Sequence, residues 1–181
     1  MNKLIFFFLV SLSSTLLIIH AKHGSRSYYG SYHLHLNKIK SGDLNLVEAE
    51  LAWAPLASEK LSGARLDNAR LDRADLSGAD LSDSSLQGAR LIGATLAGAD
   101  LQRSNLTGAN LKNVDLIRAR LDEANLTNAK LDNIALMTGD TDGSKYVAGA
   151  TVEGANFEGA QGLTTRQKEY LRQHGAFNVP E

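Results

Sequence analysis

Hydrophobic residues in this chain recur with a period of five, which neither a helix nor a flat strand can use. Leucine stands at every fifth position from Leu46 to Leu136, nineteen times without a miss. Steps of five turn roughly 140° about a helix axis, so these leucines would spiral over every face. In a continuous strand an odd period throws alternate leucines onto opposite faces. All of them point inward only if the chain turns a corner every five residues and each short side aims its central residue at a common axis. The pattern therefore predicts a chain that turns such a corner every five residues from Leu46 to Leu136.

A second inward position accompanies each leucine. Two residues earlier stands alanine in thirteen of the nineteen units, as in Ala74-Asp75-Leu76-Ser77-Gly78 and Ala99-Asp100-Leu101-Gln102-Arg103. This Ala-x-Leu-x-x motif resembles the pentapeptide-repeat family. The resemblance covers residues 43–163 and implies an all-β solenoid, a right-handed quadrilateral β-helix with four pentapeptides to a square coil and with the leucine and the preceding small residue inside. The structural core then includes Leu76, Leu81, Leu86, Leu91, Leu96, Leu101, Leu106, Leu111, Leu116, Leu121, Leu126 and Leu131. Each such leucine contributes roughly 1.5–3 kcal/mol on burial.

The exceptions to alanine support four units per coil. Ser84 and Ser104 lie twenty residues apart, as do Val114 and Ile134, so each pair falls in one column of stacked rungs. In the same way Asp83, Arg103 and Glu123 stack with alternating sign, roughly 4.8 Å apart by strand spacing. Six coils at that spacing make a rod roughly 30 Å long.

Both ends depart from the repeat. Residues 22–42 read as a linker and N-terminal cap, with a short helix over 34–41 that Gly42 terminates. Trp53 and Pro55 interrupt the first coil, and Glu59 takes an inward position where a dry carboxylate is costly, so a distorted corner or the open end is expected there. After Leu136 the register breaks and resumes at Ala150-Thr151-Val152. Sixteen residues separate Leu136 from Val152 where five are expected, so an eleven-residue insertion, the loop 138–149, leaves the coil. Thr164-Thr165-Arg166-Gln167 has the form of a capping box opening a helix through Tyr170 and Leu171, and Gly175 is its stop. Residues 164–181 are thus a C-terminal capping helix and tail, covering a rung that would otherwise invite edge pairing. Short terminal capping helices at both ends complete the expected architecture.

Residues 1–21 are set apart from the fold. Lys3 precedes an apolar run from Leu4 to Ile19, with small Ala21 at a cleavage point, which is the pattern of a secretory signal peptide. Export to periplasm, lumen or extracellular space follows. The run is short for a membrane span of about 20 residues, and a membrane association arises only if it stays uncleaved.

Composition excludes more than it identifies. The chain carries net charge −1, but residues 43–163 hold 18 acidic and 11 basic side chains, net −7. There is no cysteine, hence no disulfide, thiol nucleophile or thiolate site. All five histidines, His20, His23, His33, His35 and His174, lie outside the repeats, which excludes a Ser-His-Asp arrangement within the coils. Asp75, Asp80 and Asp100 read as solubilising surface. No catalytic residue, cofactor or metal is expected. Asp140-Thr141-Asp142-Gly143 lacks the first and last ligands of a calcium loop and reads as a surface turn. His33 and His35 would share one side of an extended segment but lack a third ligand. Ala21-Lys22-His23 would chelate copper only after cleavage behind His20, an unfavourable site.

One column stands out for partners. Ser77, Ala97, Ile117 and Met137 follow their leucines at intervals of twenty and become apolar toward the carboxyl end. The strip Ala97, Ile117 and Met137 is a candidate contact with a protein partner or a second copy, with cover by the inserted loop as the competing reading. No nucleic-acid partner is expected. The sequence thus reads as an exported, noncatalytic structural or interaction module. The resemblance offers one alternative, mimicry of duplex DNA toward DNA gyrase, as in quinolone-resistance members.

Overall fold

In the computed structural model the described residues are 34–136 and 149–181. Residues 1–33, which include the segment read above as a signal peptide, Met137 and the stretch 138–148 lie outside them. The chain winds as a stack of coils with four five-residue sides each. Parallel bridges join residues twenty apart, from Asn45↔Arg65 to Asp115↔Ala135. Above the insertion the offset becomes thirty-one, as in Arg120↔Thr151 and Lys130↔Gln161, so the eleven added residues leave the columns in register.

The expectation of an all-β chain needs one correction. Each side supplies a single bridging residue and no extended strand, because a corner every five residues leaves too little straight backbone for a ladder. What remains is hydrogen bonding between rungs. Leu81 N–H donates to Asp100 O at 2.7 Å, Leu101 N–H to Arg120 O at 2.7 Å, and Asp100 N–H to Ala79 O at 2.9 Å.

The corner explains the pentapeptide. Ala79 N–H donates back to Leu76 O at 3.0 Å, closing a four-residue turn whose third residue, Gly78, has φ 63°. Every equivalent position from Glu48 to Asn133 has positive φ, with glycine in six of eighteen. That is the type II arrangement, in which only the third residue is left-handed. Glycine holds it without strain, whereas arginine, glutamate or tryptophan there costs about 1–2 kcal/mol.

Leucines and alanines line the interior. All nineteen leucines from Leu46 to Leu136 are at most 1% exposed, and Val152 and Phe157 continue their columns in the last coil. Ser84 and Ser104 are buried among the alanines, each donating its hydroxyl to the carbonyl three residues back, Leu81 O at 2.6 Å and Leu101 O at 2.7 Å. A buried hydroxyl is tolerated there because the turn supplies its acceptor.

The first coil is regular, contrary to the expected interruption at Trp53 and Pro55. Pro55 bridges Asp75 like any other rung residue. Its counterparts one coil up donate N–H downward, as Asp75 does to Ala54 O at 2.9 Å, but the first coil has no rung beneath it. A proline fits an edge where the N–H has no acceptor. Glu59 is half-buried in this coil with ordinary turn geometry, so its place is near the open end and no distortion is needed.

Helices close both ends. Residues 34–40 form α1, which buries Ile39 against the core and ends at Gly42 with φ 80°. His35 lies in this helix and not in an extended segment, and His33 is outside the described residues. At the other end α2, Thr165–Gln173, opens with the full capping box of Thr164 and Gln167. Gln167 Nε2 donates to Ile134 O at 3.0 Å, Tyr170 OH donates to Ala150 O at 2.8 Å, and Leu171 is fully buried. The chain then turns at Gly175, and Phe177 pairs with Asn156 as the start of one more rung.

Candidate interaction surfaces

The four sides of the rod are named here in chain order, centred on the columns of Leu46, Leu51, Leu56 and Leu61. Their outward residues are those flanking each leucine and the corner that follows.

The residue before each leucine has a structural task that sequence reasoning missed. From Asp75 onward, where it is Asp or Asn, its side chain accepts the N–H of the residue after the leucine, a group the ladder leaves unpaired. Asp75 takes Ser77 N–H at 3.0 Å, Asp80 takes Ser82 at 3.1 Å, Asp100 takes Gln102 at 3.1 Å and Asp115 takes Ile117 at 2.9 Å. Asn105 and Asn125 do the same for Thr107 and Thr127, and also accept the threonine hydroxyls at 2.6 Å. Where this position is Arg90 or Thr151, an aspartate one rung below substitutes: Asp72 accepts from Ile92 N–H and Asp122 from Glu153 N–H. These carboxylates serve the turn, as Asx residues do. The signal was available in the run of Asp and Asn directly before leucine.

Ion pairs run along columns. Arg103 grips Asp83 through two bonds of 2.7 Å, while Glu123 on the next rung makes no ion pair with it, so the alternating ladder is joined on one side only. The Arg103 guanidinium holds the Asp83 carboxyl below its ordinary range. On the second side Arg70 pairs with Glu50, Arg90 with Asp72 and Lys112 with Asp132. On the fourth side Arg120 pairs with Asp100. Trp53, 41% exposed at a corner with φ 64°, carries Arg73 stacked at 4.7 Å.

Asp122 pins the chain where it re-enters after the insertion. It accepts Thr151 Oγ at 2.6 Å, Glu153 N–H at 3.1 Å and Gln102 Nε2 at 3.1 Å. Burial pushes its carboxyl up, but these hydrogen bonds and Arg120 outweigh that and leave it below the ordinary range. Beside it lies an open recess of about 540 Å³, lined by Gln102, Asp122, Thr151, Glu153, Tyr170 and His174. Tyr170 and His174 stack at 4.0 Å, and His174 Nδ1–H donates to Tyr170 O at 2.7 Å. Among the described residues no group of His, Asp and Glu is placed to hold a metal ion.

Of the apolar strip, Ala97 and Ile117 are half-buried and consecutive on the third side, and Met137 lies outside the described residues. Among the described residues no helix is long and apolar enough to cross a membrane.

The family model for pentapeptide repeats matches the chain in eight copies, over residues 45–88, 60–98 and 96–133. Solved structures with similarity include HetL, a pentapeptide-repeat protein involved in heterocyst differentiation regulation from the cyanobacterium Nostoc sp. strain PCC 7120. It is 33% identical over 64% of this chain and 52% of its own, with a TM-score of 0.49. The pentapeptide-repeat protein Rfr23 from the cyanobacterium Cyanothece 51142 is 32% identical over 54% of this chain and 58% of its own, with a TM-score of 0.46. One from the Arabidopsis thaliana thylakoid lumen is 31% identical over 67% of this chain and 78% of its own, with a TM-score of 0.40. The chain thus spans little more than half the length of the first two. No curated protein matches it.

Proposed function

The chain belongs to the pentapeptide-repeat family, and from that premise we propose that it is an exported, noncatalytic module whose right-handed quadrilateral rod presents surfaces to a protein partner. One observation carries the noncatalytic part. Asp75, Asp80, Asp100 and Asp115, the aspartates directly before leucines, are spent on backbone N–H groups of their own turns, so these candidate acids already have a structural partner. The absence of histidine from residues 43–163 supports the same reading. Export rests on the charged and apolar pattern of residues 1–21.

The partner surface in this reading is the strip at Ala97 and Ile117, continued in sequence by Met137. The gyrase reading has less support. The most acidic side, the fourth, is broken by Lys60, Arg103 and Arg120, and a phosphate mimic needs a continuous negative stripe.

A reporter fused after residue 30 tests export, with an extracytoplasmic reporter and a mature start near Lys22 expected. Full-length protein in the cytosol overturns it and restores the gyrase alternative. For the strip, Ile117→Lys should leave the melt nearly intact and abolish partner capture or self-association. A lowered melting temperature with unchanged assembly identifies an internally covered strip instead.

A further inference from the structure

The second and fourth sides of the rod are opposite faces of the square, and they carry opposite net charge. The second holds Arg70, Arg73, Arg90, Lys112 and Lys130 against Glu50, Asp72 and Asp132, net +2. The fourth holds Asp80, Asp83, Asp100, Asp122, Glu123 and Glu153 against Lys60, Arg103 and Arg120, net −3. Both repeat with the same rung, because one set of inter-rung hydrogen bonds spaces them. Any match between these faces therefore extends along the rod instead of drifting out of phase.

We propose that the protein associates side by side with copies of itself, the second side of one copy against the fourth side of the next, in the register that sets Asp72 against Lys60. The register follows from the columns. In two parallel copies the facing sides run in opposite chain directions, since the second and fourth sides of one winding do. The column Asp72, Ile92, Lys112, Asp132 then faces the column Lys60, Asp80, Asp100, Arg120, and Lys130 falls in the column facing Asp122. The winding rises one rung per twenty residues, so the second and fourth sides of one coil are offset by about half a rung and each residue of the second side has two neighbouring choices across the contact. In one register Asp72 meets Asp80 and Lys112 meets Arg120, two like-charge contacts; the other register removes both. Asp72 then faces Lys60, Lys112 faces Asp100, Asp132 faces Arg120, and Lys130 faces Asp122.

The pairs within each copy assist this arrangement. Lys112 is bonded to Asp132 at 3.1 Å and Arg120 to Asp100 at 3.0 Å, so these long side chains are already held in their columns. The contact adds opposite neighbours across the interface to those along each column. Two different surfaces meet, so the association is head-to-tail in the lateral direction and continues copy by copy instead of closing at a dimer. Exposed charges carry it, so it is screened by salt over about 10 Å at 0.1 M. The inference rests on reading the chain as a noncatalytic module, but not on the strip at Ile117.

Sedimentation of the purified chain tests it. The average mass should rise with concentration at 20 mM salt and return to that of one chain at 500 mM. Lys112→Glu spoils only the second side and Arg120→Glu only the fourth. Each alone should sediment as a single chain, with a melting temperature lowered only slightly, as the loss of one exposed ion pair implies. Mixed in equal amounts they should form a species of two chains and stop there, because one copy supplies an intact second side and the other an intact fourth. Single-chain mass for the unaltered protein at low salt overturns the proposal, as does association that survives either substitution or a mixture that does not pair. Association lost in Ile117→Lys but kept in both charge variants assigns the contact to the strip and refutes the facing sides.

Discussion

Leu101→Ala measures what the inward period contributes to stability. Leu101 lies in the middle of the column Leu61, Leu81, Leu101, Leu121, Val152 and is 1% exposed. Removing the isobutyl end forfeits its transfer energy and leaves a hole. Leucine-to-alanine changes in cores cost roughly 2–5 kcal/mol, depending on how far the surroundings collapse. Here they can collapse little. The rungs above and below are pinned by Leu101 N–H to Arg120 O and Leu81 N–H to Asp100 O, each 2.7 Å, so the neighbouring leucines cannot approach along the axis. The cost should fall in the upper half of that range, about 4 kcal/mol. With a urea slope of about 2 kcal/mol/M, the midpoint moves down by about 2 M. Leu61→Ala, equally buried but in the first coil, should cost less, since the end of a solenoid can fray without dissolving its middle. A loss at Leu101 below about 1 kcal/mol, the scale of a surface change, refutes the pinned-rung argument.

The remaining predictions address the corner and the re-entry point. Gly98→Ala places a Cβ in open space at φ 67°, so its cost isolates backbone strain; about 1 kcal/mol of destabilisation is expected in a thermal melt, and none refutes the left-handed corner. The carboxyl of Asp122 is depressed in the folded chain, so its contribution is present above the unfolded aspartate value, about 3.9, and is lost as pH falls through the folded one. Asp122→Asn should therefore lower stability at neutral pH and flatten the acid limb below about pH 4, read by urea melts across pH; an unchanged acid limb refutes the role.

How much of this molecule the sequence discloses follows from which direction a residue faces. Inward positions are constrained by every neighbour at once, so Leu76 to Leu131 and the alanines before them announce themselves by period alone. Ser84 and Ser104 announce their column by spacing, although their hydroxyl acceptors appear only with the turn geometry. The capping box at Thr164 and the stop at Gly175 are legible because caps are local. Pro55 misleads for the opposite reason: a residue that breaks a strand in general suits the one rung with nothing beneath it, and sequence does not show which rung that is. Trp53 likewise looks like an interruption until its corner, outside the core, is known.

Outward positions obey a weaker rule. Each needs only to be compatible with the residues twenty before and twenty after, and read in one dimension that condition is invisible. Asp75, Asp80 and Asp100 look like solubilising charge, yet each caps the N–H that the inter-rung ladder cannot reach. This has a consequence for function. A coil of five-residue sides has five N–H groups per side; three bond the neighbouring rungs, one closes the corner, and the fifth requires a side chain. An acid recruited for that purpose, as Asp75, Asp80 and Asp100 are, is no longer free to act on a substrate. Chemistry of the enzymatic kind also needs concavity and desolvation to shift a carboxylate toward work, and the described carboxylates with a resolved shift, Asp83 and Asp122, move down, toward the charged form. What such a rod can vary at little cost is the identity of whole columns, in charge or in apolar character, at a fixed spacing. Recognition by matching columns, as between the second and fourth sides, is the function this geometry makes easiest to evolve, and it demands register more than affinity at any single contact.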